Sequence, residues 1–118
     1  MNTEVEIVLP QGSGEDFVAA FDEIKRIEKL MDIHNPESEI SRVNKLADKQ
    51  PVKVSKEIFM VLKEALEYSR LTSGTFDVSI RPLSRLWGEK GKLKEVPEAR
   101  EIEKKLPLVN YKNIILNE

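Results

Sequence analysis

The segment SGTFDVSIRPLSRLWG, Ser73–Gly88, follows neither the helical nor the strand period, and it constrains the fold more than any regular stretch of this chain. It begins where an amphipathic helix must stop, passes through a short alternating run, and reaches Pro82 and the single Trp, Trp87. Irregular backbone of this kind, held next to regular elements, reads as the wall of a site.

Around it the periods are clear. Thr3–Leu9 alternates apolar Val5, Ile7 and Leu9 with other residues, which predicts a half-buried strand ended by Pro10 and the Gly12–Gly14 run. From Glu15 onward Phe17, Ala20, Phe21, Ile24, Ile27 and Met31 share one helical face, which predicts a long helix with its back to a sheet. His34, Asn35 and Pro36 break it, because proline lacks an amide donor and turns its predecessor away from the α region. Ser38–Leu46 has room only for a short helix, and Asp48–Val54 reads as a loop into a brief strand. Ser55 then caps a second long helix with Ile58, Leu62, Ala65, Leu66 and Ser69 on its inner face, and Gly74 is placed as its C′ residue at positive φ. GEKGKLKEVP is a charged loop, Glu98–Leu106 a third helix stopped by Pro107, and Tyr111–Leu116 an apolar strand.

The expected fold class is therefore α+β, with strand–helix–helix–strand elements, in a single domain over residues 1–118. A last strand with both edges open needs a neighbour, which suggests half of a larger fold.

Composition excludes several chemistries. Over 118 residues the formal charge is −2, with Lys and Arg interleaved among Asp and Glu, so nucleic acid is not an expected partner. With no Cys and one His there is no thiolate nucleophile, no disulfide framework and no His-rich metal site. The N-terminal residues MNTEVEIVLPQ read as neither a signal peptide nor a membrane span. No phosphate-binding glycine motif and no metal-ligand spacing is present, so neither catalytic nor metal residues are assigned.

Each candidate site residue has a plain structural alternative. If the segment is extended, Asp77 and Ser79 point away from Phe76, Val78 and Ile80, and the carboxylate can accept from a sugar hydroxyl or an exocyclic amine; otherwise Asp77 caps the following turn or pairs with Arg81. Phe76 and Trp87 can stack on a planar ring or fill a core, the latter being the commoner fate of a lone Trp. His34, at a helix end, either lies over a ligand ring or serves as a surface or capping residue. Arg42 and Asn44 can clamp a phosphate, but Arg42 is equally placed to pair with Glu39 three residues before it.

Three segments together resemble the ApbE-like FAD:protein FMN transferases. Met1-Asn2-Thr3 leading into EVEI is similar to the family's Met-Gly-Thr start. LMDIHNPESEISRVN, Leu30–Asn44, resembles its helix end, aromatic residue and P-x-S-x-[IL]-x-x-x-N, with His34 where Tyr is common. Ser73–Gly88 resembles its S-G-[GA]-[AT]-[FM]-D-x-[ST]-[VI]-x-P-L-x-x-L-W-G with one residue fewer after the glycine, and VNYKNIILNE extends the likeness to Glu118.

The resemblance implies the N-terminal part of a larger α+β enzyme that cleaves FAD and, with a magnesium ion (Mg2+), transfers FMN as a phosphoester to a Thr or Ser of a target flavoprotein. It implies FAD contacts at Met1, His34, Thr75, Phe76 and Asp77. The family's Asp-Leu-Gly-Gly-Ile-Ala-Lys-Gly-type segment and its magnesium ligands are not in this sequence, so this chain alone is expected to be inactive, with a C-terminal half as a partner. Many relatives are exported and membrane-anchored, and no lipidation site is visible here. The alternative reading is a noncatalytic module that binds FAD or another nucleotide, or pairs through its open strand.

Overall fold

The computed structural model describes residues 4–88 and 96–117. Five helices run in the order α1 (Gly14–Met31), α2 (Glu39–Leu46), α3 (Lys56–Leu71), α4 (Arg81–Trp87) and α5 (Ala99–Lys105), followed by 3₁₀ turns at Leu106–Leu108 and Tyr111–Asn113. They form two compact units, residues 1–58 and 59–118, that divide within α3.

No strand is present among the described residues, which overturns the α+β expectation. Residues 4–9 and 114–117 lack helical structure, as a strand would, but have no ladder partner among the described residues. Tyr111–Asn113, read as the start of the last strand, is a 3₁₀ turn whose Asn110 side chain accepts from the Lys112 amide. The brief strand expected near Val54 is likewise unpaired. The alternation identified which side chains share a face, but a strand exists only when a second backbone supplies its hydrogen bonds. Thr3, Met1, Asn2 and most of the GEKGKLKEVP run lie outside the described residues.

In the first unit α1 begins with a reciprocal cap. The Ser13 hydroxyl accepts from the Asp16 amide at 3.4 Å, and the Asp16 carboxylate accepts from the Ser13 amide at 2.7 Å. Those bonds hold the Asp16 carboxyl below its ordinary range. The expected apolar face is half-buried at Phe17, Ala20, Ile24, Ile27 and Met31, while Phe21 stays exposed. Helix α1 packs against α2, and no sheet lies among the described residues. Arg26 grips Glu23 with two bonds of 2.8 Å and reaches Glu57 at 2.5 Å, tying α1 to the first turn of α3.

The motif around Pro36 explains the start of α2. Asn35 accepts from the Glu37 amide at 3.0 Å, and Ser38, 2% exposed, caps α2 by accepting from the Ser41 amide at 3.1 Å. Glu39 then accepts from the Ser55 amide, and Arg42 donates to the Lys53 carbonyl at 3.0 Å, so α2 fixes the approach to α3. Ser55 caps α3 as expected, accepting from the Ile58 amide at 3.4 Å. Ile58 is the most buried apolar residue described, at 1% exposure.

In the second unit the far end of α3 closes in a Schellman motif, with one correction to its register. The Gly74 amide donates to the Ser69 carbonyl at 2.8 Å and the Ser73 amide to Arg70 at 3.1 Å, so Ser73 is the C′ residue and Gly74 follows it. Both take positive φ, 52° and 84°. Helix α4 was not anticipated; Pro82 in its first turn is a helix-start signal hidden inside the irregular motif.

Candidate functional site

The segment between α3 and α4 is a chain of turns, not the extended run that its alternation suggested. Its shape is set from α3. The Ser69 side chain, fully buried, donates to the Ala65 carbonyl at 2.9 Å and accepts from the Val78 amide at 3.3 Å. One turn on, the Thr72 hydroxyl donates to the Tyr68 carbonyl at 2.8 Å and accepts from the Phe76 amide at 3.1 Å. Two hydroxyls on the end of one helix thus hold both ends of the Thr75–Val78 stretch. Between them Thr75 is exposed and Phe76 is 48% exposed, so the loop is anchored by its backbone and presents an aromatic ring outward.

Asp77 is the node of this loop. Its Oδ1 accepts from the Ser79 amide at 2.8 Å and the Ser79 hydroxyl at 2.6 Å, and its Oδ2 accepts from the Tyr111 amide at 3.0 Å. The Ser79 hydroxyl in turn accepts from the Asn110 amide at 2.8 Å. Burial pushes the Asp77 carboxyl up, but the bonds from Ser79 and Tyr111 outweigh it and hold the group below the usual carboxylate range. The turn-capping alternative weighed for Asp77 is therefore present in the structure. Sequence reasoning placed Ser69 on the inner face of α3 and Ser79 on the same side as Asp77 but gave neither a part in the site, and it did not name Asn110. The signal for Ser79 was the D-x-S spacing, which favours an Asx turn.

The remaining candidates are placed as follows. Thr75, Phe76 and Asp77 stand together in the second unit; His34 belongs to the first, exposed just after α1, with its amide donating to Asp32 Oδ1 at 2.9 Å. Met1 lies outside the described residues. Arg42 takes the structural option, holding the Lys53 carbonyl and standing 3.8 Å from Glu39. Trp87, for which a core position was favoured, is 49% exposed at the end of α4. A groove of about 530 Å³ lies in the first unit between α2 and residues 50–55 and includes none of the expected FAD contacts. A smaller one of about 310 Å³ runs between α3 and residues 111–116, beside the turn that Asp77 holds.

Among the described residues no three His, Asp or Glu side chains stand close enough to hold a metal ion. Nor is any described helix long and apolar enough to cross a membrane.

Comparison with known proteins bears on what this loop serves. The family model described as "ApbE family" matches residues 1–118. A FAD:protein FMN transferase of Klebsiella pneumoniae is 33% identical over 83% of this chain, and one of Vibrio cholerae is 35% identical over 55% of it. The crystal structure of the ApbE protein from Thermotoga maritima superimposes with a TM-score of 0.81 at 27% identity, covering 94% of this chain and 37% of that one. The chain spans well under half the length of these relatives, 31% and 20% of the two curated proteins. With its whole length matched and its backbone shared with a solved relative, this chain belongs to the ApbE family.

Proposed function

We propose that this chain forms the flavin-binding part of a FAD:protein FMN transferase, contacting FAD through Met1, His34, Thr75, Phe76 and Asp77. The observation that carries the reading is the family match over residues 1–118, together with relatives named for that activity. The loop geometry supports it: a ring exposed on a backbone pinned by Ser69, Thr72 and Asp77 is preorganised to receive a flat ligand.

On this reading the FMN moiety passes to a Thr or Ser hydroxyl of a target flavoprotein with AMP as the leaving group, and a bound magnesium ion would supply charge neutralisation at the pyrophosphate. The chain binds the substrate and does not turn it over alone. Mixing the chain with FAD, with and without magnesium, and following flavin fluorescence and chromatography for FMN and AMP tests both parts. The expected result is a change in fluorescence with no FMN formed. Unchanged fluorescence overturns the flavin reading, and magnesium-dependent FMN release overturns the division of labour.

A further inference from the structure

We propose that Ser79 is a positioning residue for flavin binding, acting as a latch that couples the Thr75–Asp77 loop to the turn at residues 110–111. The inference rests on the reading of Thr75–Asp77 as flavin contacts. One hydroxyl does two things at once: it donates to Asp77 Oδ1 at 2.6 Å and accepts from the Asn110 amide at 2.8 Å, across 31 residues of sequence. The Ser79 amide also donates to the same carboxylate oxygen at 2.8 Å.

The Ser79 and Tyr111 amides hold Oδ1 and Oδ2 and set the carboxylate plane, and the Ser79 hydroxyl adds a second bond to Oδ1 while accepting from the Asn110 amide, so it ties that plane to the turn at residues 110–111. Asp77 then carries the constraint to Phe76, its chain neighbour, whose amide is fixed separately by Thr72 at 3.1 Å. The Tyr111 ring completes the contact, standing so close that a Cβ on Gly74 would lie 3.6 Å from its Cε1. Removing the Ser79 hydroxyl leaves the Asn110 amide without its acceptor and Oδ1 with the Ser79 amide as its one remaining donor, so the carboxylate loses its tie to residue 110. The expected consequence is a loop that still folds but no longer waits in one conformation, which weakens binding by raising the ordering cost.

The test compares Ser79→Ala and Ser79→Thr in this chain. Ser79→Ala is expected to weaken FAD binding about tenfold, with unchanged helical circular dichroism and faster amide hydrogen exchange at Asn110. Ser79→Thr, which keeps the hydroxyl, is expected to restore both affinity and protection to within about twofold. If the unaltered chain binds FAD and Ser79→Ala binds it equally well, the inference is overturned while the flavin reading stands. If the unaltered chain leaves FAD fluorescence unchanged, the flavin reading falls and takes the role of Ser79 with it. Should Ser79→Ala lose its helical signal, Ser79→Cys, with a weak donor of similar shape, replaces it. Loss of helix in that variant too makes Ser79 a folding residue and overturns the inference.

Discussion

Asp77 has committed most of its acceptor capacity to its own chain, and this changes what a substitution there measures. Asp77→Ala removes any contact to FAD but also three internal bonds, so a loss of affinity in that variant does not by itself report a ligand contact. Asp77→Asn is more informative, because an amide accepts at one position and cannot accept from Tyr111 at the other. The carboxyl is held below its ordinary value of 3.8. A group with a depressed folded pKa contributes stability above that ordinary value and loses it as pH falls through the folded one. Asp77→Asn is therefore expected to cost about 1–2 kcal/mol at pH 7, with the difference from the unaltered chain shrinking below about pH 4. Denaturant titrations from pH 3 to 7 check this, and a difference independent of pH contradicts it. The residue types at this site were visible in the sequence, whereas their partners were not. A turn capped by Asp77 was one of the alternatives read from the sequence, but nothing local to Asp77 indicated that the amides of residues 110 and 111 would meet it.

The helices were legible because their bonds are local. The face of α3, the cap at Ser55 and the shortness of α2 all follow from spacings of three and four residues, and each is present. The extended segments were misread as strands for the complementary reason: their hydrogen bonds are decided by a second backbone far away in sequence or on other polypeptide. The end of α3 was read one residue late, since Gly74 drew attention as the residue that tolerates positive φ. Ser73, the C′ residue itself, also takes positive φ, at 52°. A non-glycine residue there costs roughly 1 kcal/mol or more. Ser73→Gly is accordingly expected to stabilise the chain by about 0.5–1 kcal/mol, read as a higher midpoint in urea at unchanged slope. Gly74→Ala is expected to do the reverse, because φ is 84° there as well.

For the molecule as a whole, open apolar surface is the telling quantity. Among the described residues Val8 is 75% exposed, Ile115 79%, Leu71 63% and Trp87 49%. The chain on its own is therefore expected to bind an apolar dye such as anilinonaphthalene sulfonate strongly and to unfold at low urea. Dye fluorescence no greater than that of a compact control protein of equal size contradicts this. What the sequence alone determined was local or compositional: helix faces, caps, the break at Pro36, the absence of Cys chemistry, and a motif specific enough to resemble one family. Three things depended on the folded chain: that the extended segments find no partner among the described residues, that Ser73–Gly88 contains a helix, and that Asp77 faces Ser79 and Tyr111. The physical reason is range. A helix bond joins residues four apart, so a short window of sequence specifies it, whereas a strand pair or a carboxylate's partners join residues that only the folded chain brings together.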